Sequence, residues 1–122
     1  MTVQENHYAV LRFRNGETRR TDHSVEIDGE GQKVRLPGAG SEEIDFRDLK
    51  AVFFLVPGAG ESRPDRGSLL SIEFSDGEVI TGIAPEYNPT LPGFYLYPND
   101  EDRVERVFIV ASAIVSIDVE RL

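Results

Sequence analysis

Two short segments of the chain repeat one order of residue types: an aromatic residue, two polar residues, a glycine and a glutamate. They are Phe13–Glu17 and Phe74–Glu78. The Asn-Gly and Asp-Gly dipeptides within them are strong hairpin signals, because a two-residue type I′ turn needs positive φ at both central residues. The sequence therefore predicts two β-hairpins, each with an acidic residue opening its second strand.

Alternation of apolar and polar residues predicts strands on both sides of these turns. The clearest strand is Leu69–Phe74, in which every second residue from Leu70 is apolar. A two-residue turn would set three cross-strand pairs on that face: Phe74–Val79, Ile72–Thr81 and Leu70–Ile83. In the first hairpin, Thr18–Thr21 is polar on both faces, which indicates an edge strand or one that a partner covers. No long segment has helical periodicity, so we predict an all-β fold.

The order hairpin, strand, strand, tight turn, strand occurs in both halves of the chain. We predict a tandem duplication, with a first repeat at residues 1–56, a connector at 57–68 and a second repeat at 69–122. The connector holds two prolines, three glycines and four charged residues, a composition typical of a linker. Each repeat is too small to bury a sufficient core alone, so we expect the two to pack into one compact domain, in one interpretation through a shared sheet. The alternative is that a β protein contains two such hairpins by chance.

This element order resembles that of SH3-like and Sm-like small β-barrels, over roughly residues 8–56 and 69–120. Three segments also resemble an uncharacterised bacterial family of such domains: Leu49–Phe54, Glu73–Glu78, and Gly93–Pro98 followed by Arg106-Val107-Phe108. The resemblance implies tandem SH3-like or Sm-like units. It implies no activity, because none is established for that family.

Composition excludes several classes of chemistry. The chain has no cysteine, which removes thiolate nucleophiles and cysteine-bound zinc. Its histidines are His7 and His23, and no nucleophile–base set, metal-ligand spacing or cofactor motif accompanies them. We therefore predict a protein that is not an enzyme and has no cofactor or metal. We also expect a cytoplasmic location without a membrane partner, because neither a secretory signal nor a membrane-spanning apolar run is visible.

Four arginines are concentrated around the first hairpin: Arg12, Arg14, Arg19 and Arg20. The predicted turn would place Arg12 opposite Arg19, and like charges directly across a strand pair are destabilising. Counterions are therefore needed. They are either acidic residues of the chain, such as Glu17, Glu26 or one in the second half, or a bound anion or acidic partner.

Three tyrosines form the other candidate surface: Tyr87, Tyr95 and Tyr97. If Phe94 and Leu96 are core residues, Tyr95 and Tyr97 face outward, where they either cover the junction between the repeats or contact a partner. Tyrosine suits interfaces because it buries a large area at low rotamer cost.

These surfaces favour a non-enzymatic binding or regulatory module that acts through a protein partner or a homodimer. One alternative is sensing of a small anionic ligand or nucleotide by the arginines. Asp22-His23-Ser24 resembles the opening of the PilZ cyclic-dinucleotide motif, although Ile27 stands where that motif has glycine. The other alternative is Sm-like RNA binding, which the net charge of −9 disfavours.

Overall fold

The computed structural model describes residues 8–21, 25–36, 42–55, 64, 66–99 and 104–121. Within these ranges the chain forms eleven β-strands and two single 3₁₀ turns, so the predicted all-β class is confirmed. The strands are β1 (Tyr8–Phe13), β2 (Thr18–Thr21), β3 (Glu26–Asp28), β4 (Lys33–Leu36), β5 (Glu42–Asp45), β6 (Leu49–Leu55), β7 (Ser68–Phe74), β8 (Val79–Ala84), β9 (Gly93–Pro98), β10 (Val104–Val110) and β11 (Ile114–Arg121), and the 3₁₀ turns are η1 (Phe46–Asp48) and η2 (Ala111–Ala113).

Eight strands form one antiparallel sheet in the order β11-β7-β8-β9-β10-β6-β1-β2, and the other three form a small sheet in the order β3-β4-β5. The two halves of the chain meet where β6 pairs with β10, with Phe53 opposite Val107. The large sheet is thus shared by both halves. β2 lies at one edge of it, as its polar sequence indicated, and β11 lies at the other.

Both predicted hairpins are present, but each loop holds three residues rather than two. In the second hairpin, the backbone N–H of Phe74 donates to the carbonyl of Glu78 at 2.9 Å, and that of Gly77 donates to the carbonyl of Phe74 at 2.9 Å. Gly77 has a φ of 91°, and Gln32 is the single non-glycine residue of the described ranges with positive φ. The predicted type I′ turn needs positive φ at both of its central residues, and Asp76 does not have it, so that prediction was wrong. The loop belongs to the three-residue class that ends in a left-handed glycine.

The additional loop residue moves the register of the second hairpin by one position. Ile72 pairs with Ile80 and Leu70 with Gly82. Because side chains alternate between the faces of a strand, this shift turns β8 over. Ile80 is 8% exposed and Val79 is 55% exposed. The predicted pairs Phe74–Val79, Ile72–Thr81 and Leu70–Ile83 were wrong, while the predicted inward orientation of Leu70, Ile72 and Phe74 is confirmed.

The hydrophobic core is one cluster to which both halves contribute. Leu11, Val52 and Phe108 are direct neighbours across β1, β6 and β10, and all three are buried. The ring of Phe46, which opens η1 directly after the small sheet, lies 5.5 Å from that of Phe108. The small sheet is therefore anchored to the large one by aromatic packing beside the junction of the two halves.

Candidate functional site

A buried lysine joins the two halves of the molecule. Lys50 is 5% exposed and is the one charged residue classed as buried among the described residues. Its Nζ donates to Asp76 Oδ2 at 2.7 Å and to Glu78 Oε1, and it lies 4.9 Å from the centre of the Phe74 ring. Lys50 belongs to the first half, whereas the two carboxylates and the ring belong to the second hairpin.

A β-bulge gives Lys50 its position. Arg12 pairs with Ala51 and Phe13 pairs with Leu49, so Lys50 has no direct partner in β1. A bulged residue leaves the regular alternation of its strand and redirects its side chain. Lys50 can therefore reach the second hairpin from within an otherwise apolar strand.

Arg12 extends this group of charges. Its Nη1 donates to both carboxylate oxygens of Glu78, at 3.2 and 3.1 Å, and its guanidinium lies 4.7 Å from the centre of the Phe53 ring. Glu78 thus accepts hydrogen bonds from cations on β1 and on β6. We call Arg12, Lys50, Asp76 and Glu78 the Lys50 cluster.

The Asp76 carboxyl is stabilised in its charged form. The hydrogen bond from Lys50, followed by the one from the backbone N–H of Glu78, lowers the pKa of Asp76 below its usual value of 3.8. That backbone bond, to Oδ1, is 2.9 Å long. Asp76 therefore closes its own turn with one oxygen and binds the other half of the chain with the second. Two cations meet two carboxylates in the Lys50 cluster, so its role is ion pairing between the halves.

The four arginines noted in the sequence do not form one surface. Arg12 lies opposite Thr18, and Arg19 lies opposite Leu11. Directly paired residues project from the same face of a sheet, so Arg12 and Arg19 project from opposite faces. The predicted Arg12–Arg19 pair was wrong, for the same reason as in the second hairpin: the loop has three residues.

Arg14 is bound by the backbone and by the second half of the chain. Its Nε donates to the carbonyl of Leu49 at 2.8 Å, and its Nη2 donates to the carbonyl of Phe46 at 3.1 Å. Nη2 also donates to Ser112 Oγ, in η2, at 2.5 Å. Arg14 thus ties the 3₁₀ turn of the first half to that of the second.

Arg19 and Arg20 lie on the edge strand β2. Arg19 forms an ion pair with Glu42 at 2.8 Å, and its guanidinium lies 5.5 Å from the centre of the Phe13 ring. Arg20 lies opposite Val10 of β1. Of the counterions considered from the sequence, an acid of the second half serves Arg12, and Glu42, which was not foreseen, serves Arg19.

Two of the three candidate tyrosines pack within the molecule. Tyr87 meets Phe94 edge-on, with ring centres 5.0 Å apart. Tyr95 meets Phe108 edge-on at 5.3 Å. Because Phe94 and Tyr95 are adjacent on β9, these contacts lie on opposite faces of the sheet, and Tyr87 and Tyr95 do not share a surface.

An arginine that the sequence analysis missed stacks between two aromatic rings. The guanidinium of Arg106 lies 4.5 Å from the ring centre of Phe54 and 5.1 Å from that of Tyr95. Arg106 also pairs with Glu105 at 2.7 Å. The available signal was the Arg-Val-Phe order in β10, which places Arg106 on the same strand face as the aromatic Phe108.

Tyr97 lies in a different environment, on the face of the sheet that is turned away from Leu70. It is the direct neighbour of Ile83 on β8, which in turn is the neighbour of Leu69 on β7. All three are half-buried, and none belongs to the hydrophobic core cluster or packs against it. We call Leu69, Ile83 and Tyr97 the outer row.

A protein-family model matches most of the chain. The family of unknown function DUF6982 matches residues 7–121. The chain belongs to this family. Comparison with the curated proteins and with the solved structures gives no match.

The segment matched by DUF6982 contains the Lys50 cluster, the Arg106 stack and the outer row, and it agrees with the resemblance to an uncharacterised family. In the described part of this DUF6982 chain, no three His, Asp or Glu side chains are grouped so as to hold a metal ion. The same residues include no helix with the length and apolar character needed to cross a membrane. His7 and the segment 22–24 lie outside the described residues.

Proposed function

We propose that this DUF6982 protein is a non-enzymatic binding or regulatory module that acts through protein–protein contacts, with the outer row as its contact surface. The observation that carries the proposal is the place of Tyr97, beside Ile83 and Leu69, outside the packed core. Where one face of an antiparallel sheet is solvated, that face is normally polar. A surface that binds a partner explains why three adjacent apolar side chains lie on this face.

The remainder of the same face supports this interpretation. Next to the outer row, the paired positions on β7 and β8 are Ser71 and Thr81, whose hydroxyls lie 3.5 Å apart. The following pair includes Glu73. The partner of Glu73 is Val79, which is 55% exposed, so a polar pair separates the outer row from this apolar side chain.

Sensing of a small anion or nucleotide by the arginines has less support. A phosphate site presents cationic donors that converge on one place. Here Arg12 donates to Glu78, Arg14 donates to backbone carbonyls, and Arg19 donates to Glu42. Binding of RNA is opposed by the net charge of −9.

We further propose that the halves are tandem small-barrel units, at residues 1–56 and 69–122, joined by 57–68. The strand order supports this. In the second half the last strand pairs with the first, which continues to the second, third and fourth, as β11-β7-β8-β9-β10. In the first half the last strand again pairs with the first, as β6-β1-β2. The repeat is tested by superposing residues 42–55, which include η1, on residues 104–121, which include η2. Different strand paths in the two segments would contradict it.

Site-specific photo-crosslinking tests the contact surface. We expect a photoreactive phenylalanine derivative at position 97 to give a discrete adduct in the cells that naturally make the protein. The same group at Glu30, an exposed position in the turn between β3 and β4, is the matched control. An adduct of twice the chain mass would identify a homodimer, and a different mass would identify another protein.

The partner identified in this way allows a quantitative test. Tyr97→Asp should weaken its binding by at least about tenfold, the effect typical of a central interface aromatic, while Glu30→Lys should leave it unchanged. Equal adducts from positions 97 and 30, or undiminished binding by Tyr97→Asp, would contradict the proposal.

A further inference from the structure

The strand β11 forms a long open edge of the large sheet. It spans eight residues, against four for β2 at the other edge. Among the described residues its one strand neighbour is β7. An edge strand presents a row of backbone N–H and C=O groups that can pair with a further strand. Eight residues offer a template of about 26 Å.

The inward face of β11 is apolar at Ile117 and Val119 and is incompletely covered there. Ile117 lies opposite Ile72, and Val119 lies opposite Leu70. Leu70 is fully buried, whereas Val119 is 52% exposed. The apolar face of the sheet therefore continues one strand beyond the core, and an apolar side chain on an added strand would cover it.

The outward face of β11 is acidic. Ser116, Asp118 and Glu120 are all exposed. Ser116 lies opposite Glu73, so three carboxylates share this face. The outward positions paired across β8, β7 and β11 form three rows, and none of them holds Lys or Arg. The rows are Val79, Glu73 and Ser116; Thr81, Ser71 and Asp118; and Ile83, Leu69 and Glu120.

A second copy of the chain is a poor occupant of this edge. Pairing of two β11 strands that keeps the apolar faces together also brings two acidic faces together. Asp118 and Glu120 of one copy would then lie beside the same residues of the other, and like charges across strands are destabilising. Each copy also carries a net charge of −9, which adds long-range repulsion.

We propose that β11 accepts an extended segment of a partner protein in which basic and apolar residues alternate. Backbone hydrogen bonds along the open edge supply affinity, and the side chains supply specificity. Lysine or arginine side chains of the segment would lie beside Asp118 and Glu120, and valine or isoleucine side chains beside Ile117 and Val119. The inference shares with the proposed function only that a protein is bound, since the edge of β11 and the outer row are tested separately.

A peptide of four Lys-Val repeats, acetylated and amidated, is the probe, and the full chain is the target. By fluorescence anisotropy we expect it to bind at least about tenfold more tightly than a peptide of four lysines followed by four valines, because only strict alternation matches both faces of the edge. Affinity should fall as salt is added. Backbone amides of β11 should gain protection from hydrogen exchange when the peptide is bound.

Charge reversal on the edge separates pairing from general attraction. Asp118→Lys should weaken binding of the Lys-Val peptide by about fivefold, and a Glu-Val peptide should bind the variant more tightly than it binds the natural chain. Glu30→Lys makes the same change in net charge in the turn between β3 and β4 and should leave affinity within about twofold. Equal losses by the two variants would show that only net charge is sensed and would overturn the proposal.

Backbone pairing is tested without altering the protein. Of two Lys-Val peptides, one N-methylated at its lysines and one at its valines, we expect one to lose binding, because successive N–H groups of a strand point to opposite sides. Equal binding of both, or of the alternating and block peptides, would overturn the proposal. So would protection of the β11 amides in a self-associated form without peptide, since a second copy would then hold the edge.

Discussion

The two hairpins have the same loop conformation but different surroundings. The loops within Phe13–Glu17 and Phe74–Glu78 each end in a glycine of similar positive φ, 96° and 91°. In each, the residue before the glycine accepts a hydrogen bond from the backbone of the glutamate at 2.9 Å. The segments therefore have the same local conformation, which their short sequences are sufficient to determine.

Their surroundings are different. Phe74 is 1% exposed, and the carboxylates after it bind Lys50 and Arg12. Phe13 is half-buried, Glu17 is exposed, and the strand that follows lies at the sheet edge. Equal turns therefore contribute unequally to the molecule, because only in the second hairpin is the aromatic residue before the turn fully buried and the turn acid ion-paired with a buried lysine of the opposite half.

The largest expected difference concerns the aromatic residue before each turn. Phe74→Ala should lower the free energy of unfolding by about 3–5 kcal/mol, because it leaves a cavity in the core. Phe13→Ala should lower it by about 1–2 kcal/mol, because that ring is only partly removed from water. Urea denaturation measures both. Equal losses would show that the two hairpins carry the same structural weight and would contradict the comparison.

The next expected effect concerns the contact that only the second hairpin makes. Lys50→Ala should lower the free energy of unfolding by about 2–3 kcal/mol, because it removes a buried cation from two carboxylates and from the face of the Phe74 ring. The matched control is Lys33→Ala, which breaks the 3.2 Å ion pair of a partly exposed lysine with Glu43. It should cost no more than about 1 kcal/mol. Similar midpoint shifts for both variants would contradict the structural role assigned to the Lys50 cluster.

The smallest expected effect distinguishes the charge of Asp76 from its hydrogen bond in the turn. Asp76→Asn gives the second loop the residue that the first loop has, and it retains the Oδ1 acceptor while it removes the charge that faces Lys50. The folded pKa of Asp76 is lowered, so its contribution is fully present above the unfolded pKa and is lost as the pH falls through the folded value. We expect natural protein to be more stable than Asp76→Asn at pH 7, with the difference disappearing below the usual pKa of 3.8.

The reciprocal change in the first hairpin is the control for that measurement. Asn15→Asp places a carboxylate in the equivalent turn of the first hairpin, where the described residues include no ion pair with a lysine. Thermal unfolding across the same pH range should therefore show no comparable gain in stability at pH 7. A difference between natural protein and Asp76→Asn that persists unchanged at low pH would contradict the electrostatic explanation.

Much of the local structure could be predicted from the sequence. The alternation in Leu69–Phe74 gives the correct strand and inward face, and the polarity of Thr18–Thr21 gives an edge strand. The register could not be obtained, because Asn-Gly and Asp-Gly dipeptides fit loops of two and of three residues. The one-residue difference in loop length places Ile80, rather than Val79, in the core.

The Lys50 cluster could not be predicted for another reason. Lys50 is the second residue of β6, directly after the tight turn Phe46–Asp48, and a lysine is rarely buried. Its partners, Asp76 and Glu78, lie in the other half of the chain. Local pattern carries no information on which distant hairpin will meet a given cation, so such a pair becomes visible only in three dimensions.

The pairing of β6 with β10 has a consequence for the synthesis of the protein. On the ribosome, β6 emerges with β1 already available, but its other neighbour, β10, follows only after β7, β8 and β9. The nascent first half must therefore wait, with one side of its most apolar strand unpaired, until these later strands have been synthesised. Chaperone protection during that interval would matter more for this protein than for two units that fold independently.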